Sequence, residues 1–194
     1  MTETVKIVIP DAGPINTLAA AGLLHLLMAP KNTEIVVIQS VYNEILSRSS
    51  EFIEFLKGNP SRIKFVKTSV CLESERKLTQ GEPIGKGRGD LAIADFIMNF
   101  IDKEIGNSPA LVIFEDKKLG RLSQLEDYSE NTHFITTAAY LKKLEIEGII
   151  ESFESIWELV VRTNSSSNPN VHRVPNPMEF EQPSRQGSSI FRHR

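Results

Sequence analysis

Short apolar runs rich in β-branched residues alternate along this chain with segments of helical period, and that alternation leaves few folds open. Val5–Pro10 is a continuous run of the kind found in a strand buried on both faces. Gly13 and Pro14 break it, and Pro14 suits the first turn of a helix. Ile15, Leu18, Ala19, Leu23, Leu26 and Leu27 then recur at helical spacing. Glu34–Gln39 reads as a second strand, after which Ser40 caps a helix through Val41, Ile45 and Leu46. Glu51–Lys57 reads as a helix and Ile63–Lys67 as a third strand. Gly81–Gly89 is a glycine-rich loop that opens a helix from about Arg88 to Ile105, with Ile93, Phe96, Ile97, Phe100 and Ile101 on one stripe. Ala110–Phe114 and His133–Ile135 complete the strands. A helix starting at Thr136 or Thr137 runs through Leu141 and Leu144, and a last one covers roughly Ile149–Val161. Strands separated by helices predict an α/β fold with a central, mostly parallel sheet covered on both faces. In such sheets the ligand site lies at the carboxyl ends of the strands.

Composition sets the remaining bounds. At 194 residues, 40% hydrophobic and 24% charged, the chain suits one globular domain with a tail. The break falls near Arg162: residues 162–194 hold four of the ten prolines, many serines, five arginines and two glutamates. That segment, net +3, is expected to stay disordered alone, as a passive extension or as a basic arm anchored by Phe191. Residues 1–161 then carry -6 and form the folded domain, so the body has no basic footprint for tight nucleic-acid binding. One cysteine, Cys71, permits no intramolecular disulfide and fits a reducing compartment. The apolar run at Val5–Pro10 is too short for a signal peptide or a membrane span. The expectation is a cytoplasmic protein with no membrane contact.

Acidic residues stand at the places that matter. Asp11 follows the first strand directly, with small residues behind it. Asp116 occupies the same topological place after the fourth strand, with Glu115 beside it as an alternative. Both positions also suit a helix N-cap. Glu44 flanks the inward stripe of Val41 and Ile45. A helical residue turns by about 100°, so Ile97 and Ile101 fall almost in line with Asp90 and place it on the core-facing stripe. Charge there is costly unless something offsets it. Asp95 lies on another face, with Asn99 and Asp102, and reads as a surface residue. Four carboxylates gathered at one edge repel one another, and hard cations such as Mg²⁺ or Mn²⁺ are what neutralise such a set. His25, His133, His172 and His193 are too scattered for a zinc site. Gly85-Lys86-Gly87-Arg88-Gly89 follows no strand and is weak as a nucleotide loop, although Lys86 and Arg88 are placed to touch a phosphate.

These residues resemble the PIN domain, a nuclease family that includes toxins of bacterial toxin–antitoxin pairs. The likeness covers most of Val5–Val161. It runs through Asp11-Ala12-Gly13-Pro14-Ile15-Asn16-Thr17-Leu18-Ala19, Val41-Tyr42-Asn43-Glu44-Ile45, Gly89-Asp90-Leu91-Ala92-Ile93-Ala94 and Phe114-Glu115-Asp116-Lys117-Lys118-Leu119. It closes on Thr136-Thr137-Ala138-Ala139-Tyr140-Leu141 and Gly148-Ile149-Ile150, similar to a PIN subfamily of bacteria and archaea. The resemblance implies a three-layer α/β/α fold and Mg²⁺- or Mn²⁺-dependent endoribonuclease activity. It also implies a toxin role, with RNA as substrate, a cognate antitoxin and a homodimer. Its four acids correspond to Asp11, Glu44, Asp90 and Asp116, with Glu115 alternative to the last. Members often carry a serine or threonine beside the first acid; here Ala12 and Gly13 stand there and Thr17 is the nearest hydroxyl.

The implied reaction is hydrolysis, with Asp11, Asp90 and Asp116 holding one or two metals and Glu44 reaching one directly or through water. Thr136 or Thr137 would orient a water. A receiver domain would need an acidic pair before Asp11, where Met1–Pro10 offers only Glu3. A phosphatase with Asp-x-Asp would need an acid at Gly13. A catalytically inactive PIN scaffold acting as a binding module is the alternative of a different class.

Overall fold

The structure, a computed structural model, describes residues 5–46, 48–115 and 130–164. Five strands form one sheet: β1 (Ile7–Pro10), β2 (Glu34–Ile38), β3 (Ile63–Val66), β4 (Ala110–Phe114) and β5 (Thr132–Thr136). Their order is β3-β2-β1-β4-β5 and every pairing is parallel. The sheet is thus parallel throughout among the described residues, not merely for the most part. Every residue of β1 and β4 is buried, which is why both read as unbroken apolar runs. β3 lies at one edge, and none of its residues is fully buried.

Helices cover both faces in a three-layer α/β/α arrangement. Among the described residues they are α1 (Ala12–Ala20), α2 (Gln39–Ile45), α3 (Ser50–Gly58), α4 (Ser69–Thr79), α5 (Arg88–Asn99), α6 (Ile101–Ile105), α7 (Thr137–Ile146) and α8 (Phe153–Asn164). Helix α8 packs on α1 and α7, whereas α5 packs on α2 and α4. Three departures from the sequence reading have local causes. The helix expected over 88–105 is two, because Phe100 leaves helical geometry at φ -128°. Helix α4 has no clear signature in the sequence, because it buries only Cys71 fully and so shows no wide apolar stripe. Helix α8 starts at Phe153 and runs on to Asn164, three residues past the end at Val161 that the sequence suggests. Polar Asn164 extends it because its side chain is buried and donates to Thr17 O at 3.2 Å and Val160 O at 2.9 Å.

β1 lies at the centre of the sheet, and its connections decide where a site can form. The chain leaves β1 towards β2 on one side, and β4 flanks β1 on the other. The carboxyl ends of β1 and β4 therefore bound the point where strand order reverses, the crevice in which open parallel sheets bind ligands. Pairing of β1 with β2 extends only through Val8–Ile35, whereas β1 stays in register with β4 through Pro10–Ile113. Pro10 has no N–H to give a ladder, and Asp11 N restores the link to β4 by donating to Ile113 O at 2.9 Å.

Candidate active site

Asp11 is the first residue beyond β1 and the N-cap of α1. Its backbone is extended (φ -74°, ψ 170°), and its side chain makes no hydrogen bond of the capping kind. Only 6% of the residue is exposed. Burial pushes its carboxyl up to about 7 from the usual 3.8, partly opposed by the Ala12 N–H. The charges of Asp90, Glu44 and Glu115 push the same way as burial. Four acids from four separate stretches of chain thus converge at one strand edge.

Each of the other three is held differently. Glu44 remains solvent-exposed, and its Oε1 accepts the Gly89 N–H at 3.0 Å. That N–H is one of the first-turn donors of α5 that has no partner within the helix, and an acidic group there also suits the helix dipole. A Cβ on Gly89 would stand 2.9 Å from Glu44 Oε1, so glycine is what lets the two approach. Asp90 is the next residue, partly buried in the first turn of α5. Gly87 caps that turn in the left-handed region (φ +72°), a conformation that favours glycine.

Glu115 is the first residue beyond β4, matching Asp11 beyond β1. Its Oε2 accepts the Thr17 hydroxyl of α1 at 3.0 Å, and its Oε1 accepts the Thr137 hydroxyl of α7 at 2.8 Å. A Cβ on Gly13 would lie 3.1 Å from Glu115 Oε2 and 3.2 Å from its Cβ, so the small residue behind Asp11 makes room for Glu115. Asp116, the fourth acid of the sequence reading, lies outside the described residues.

The remaining candidates take distinct places. Thr136 is the N-cap of α7, accepting from Ala139 N at 3.1 Å, while Thr137 faces Glu115. Arg88 turns towards α4: it donates to Glu73 Oε2 at 2.7 Å and Ser74 Oγ at 2.9 Å, and its guanidinium braces the two helices. Lys86 is exposed in the loop before α5. Asp95 is not the plain surface residue that its helical face suggested. It is partly buried and accepts the Val70 N–H at 3.1 Å, at the start of α4. In the sequence Thr17 is only the nearest hydroxyl to Asp11; its contact with Glu115 has no signal there, since 98 residues separate the pair.

Carboxylates and threonine hydroxyls are hard oxygen donors, the chemistry that Mg²⁺ or Mn²⁺ selects. Among the described residues, however, no three acids, histidines or cysteines stand close enough to form a ready cation cage. A groove of about 530 Å³ lies elsewhere, lined by residues that include His25, Leu26, Met28, Ile149 and Ile156. It shares none of the clustered carboxylates. No family model matches the chain, and neither does a curated protein or a solved structure.

Proposed function

We propose that the chain is a metal-dependent endoribonuclease that hydrolyses RNA phosphodiester bonds. The observation that carries the reading is the burial of Asp11 within reach of the charges of Asp90, Glu44 and Glu115, at the reversal point of a parallel sheet. A buried carboxyl crowded by three others is costly to ionise, and such arrangements are maintained where function needs them. Mg²⁺ or Mn²⁺ bound there would neutralise the acids and acidify water for attack on phosphorus. The chain's own part is to hold and aim. Asp11 and Asp90 would be the ligands in this reading, supported by the burial of Asp11 beside the Asp90 charge, with Asp116 as the fourth acid implied by the PIN resemblance. Glu44 fixes the start of α5 through Gly89, and so fixes Asp90.

Incubation of single-stranded RNA with the protein, in Mn²⁺ and in chelator, tests the reading. Cleavage only in Mn²⁺, lost in Asp11→Asn and in Asp90→Asn, is the expected result; cleavage by either variant at the wild-type rate refutes the assignment. A toxin of a toxin–antitoxin pair is the setting that the resemblance suggests, and growth arrest on expression, relieved by an adjacent gene product, would support it. The reading of a different class is an inactive scaffold that acts as a binding module. Calorimetric titration of Mn²⁺ separates the two, since the scaffold has no specific site to fill.

A further inference from the structure

We propose that Glu115 is a positioning residue, which ties α1 and α7 to the end of β4 and so fixes where Asp11 stands, and that it does not work as a cation ligand. The inference rests on the reading of Asp11 and Asp90 as the working acids. Both Glu115 oxygens accept hydroxyl protons, from Thr17 and from Thr137, and each threonine is 1% exposed. These donors come from opposite directions along the chain, 98 residues before Glu115 and 22 after it. The clamp extends outward, because Thr17 O in turn accepts the Asn164 side chain at the end of α8. It also reaches inward: Thr17 shares α1 with Asp11, and the first turn of that helix closes through Ile15 N to Asp11 O at 3.3 Å. Gly13, between them, leaves the space that Glu115 fills. One carboxylate thus joins the first, fourth and last segments of the site's frame.

Glutamine is the discriminating substitution. Its amide oxygen can accept from one threonine and its NH₂ can donate to the other hydroxyl, so the bridge survives without the charge. In Glu115→Gln, amide exchange at Ile15 should match wild type, and Mn²⁺ binding by calorimetry should survive, weakened far less than in Asp11→Asn. In Glu115→Ala, and in Thr17→Val/Thr137→Val, cleavage should fall roughly tenfold or more, and amide exchange at Ile15 should accelerate. Loss of Mn²⁺ affinity in Glu115→Gln with unchanged Ile15 exchange would overturn the proposal and make Glu115 a ligand. If the wild type neither cuts RNA nor binds Mn²⁺, the nuclease reading fails on its own. The exchange measurement still decides the positioning role, which is refuted if Ile15 is equally protected in wild type, Glu115→Gln and the Thr17→Val/Thr137→Val variant.

Discussion

Replacing Asp11 by asparagine should stabilise the protein at neutral and alkaline pH. Burial lifts the Asp11 carboxyl from 3.8 to about 7, assisted by Asp90, Glu44 and Glu115. Between those two values the folded protein holds the proton more tightly than the unfolded chain does. Stability therefore falls as pH rises through that window. The full difference corresponds to about 4 kcal/mol, an upper bound because the fold relaxes around the charge. At pH 8 and without divalent cations, the wild type bears nearly all of this cost. Asparagine has no charge to bury, nearly the same shape, and an oxygen that can still accept from Ala12 N–H. For a chain of this size 1 kcal/mol is worth roughly 2–4 °C, so Asp11→Asn should melt several degrees above wild type at pH 8, with roughly 16 °C as the ceiling. At pH 4.5 the wild-type carboxyl is protonated in the fold, and the advantage should shrink by roughly 3 kcal/mol. Thermal melts followed by circular dichroism in chelator, at both pH values, make the comparison; other acids cancel in the difference between variant and parent. A variant that melts at or below wild type at pH 8, or an advantage independent of pH, would show that Asp11 is not a strained buried carboxyl.

Three further outcomes follow from local geometry. Gly87→Ala places a Cβ at φ +72° and should cost about 1–2 kcal/mol, read from urea unfolding; no change would mean that the turn before α5 relaxes freely. Asn164→Ala removes buried bonds to Thr17 O and Val160 O, with an expected cost of about 1–3 kcal/mol by the same assay. Tyr140 is fully buried and its hydroxyl donates to Leu26 O at 2.6 Å. Tyr140→Phe should therefore lose about 1–2 kcal/mol in urea unfolding. Burial also holds the phenol above its ordinary range, so ionisation of the wild-type residue should coincide with alkaline unfolding in a tyrosinate absorbance titration.

The sheet was legible because its strands are buried on both faces and so appear as uninterrupted apolar runs. Ala110–Phe114 matches β4 to the residue, and the others shift by one or two at their ends. Chain direction and the alternation of elements were enough to place Asp11 at the carboxyl edge, whereas the preference for Asp116 over its neighbour Glu115 falls on a residue outside the described ones. Helical phase also placed Asp90 on the inner side of α5. What the sequence could not display were contacts across long separations. The two threonines on Glu115 are set by packing of α1 and α7 against the sheet, and the bond from Glu44 to Gly89 spans 45 residues. Arg88 looked available for phosphate because Glu73 and Ser74 lie on α4, a helix that polarity concealed. Asp95 reads from helical phase as a surface residue, and its use at the start of α4 needed that same hidden helix.

The bond from Asn164 to Thr17 closes a span of 147 residues, and Thr17 is the same residue that steadies Glu115. During synthesis the chain presents α1, β1 and β4 long before α8 exists. Contacts of such high sequence separation form late, since the entropy of closing the intervening loop opposes them. A nascent chain truncated before α8 would therefore hold its acidic residues without the outer brace that steadies Thr17. If the chain is a nuclease harmful to its own cell, that order of assembly delays activity until translation of the domain is complete.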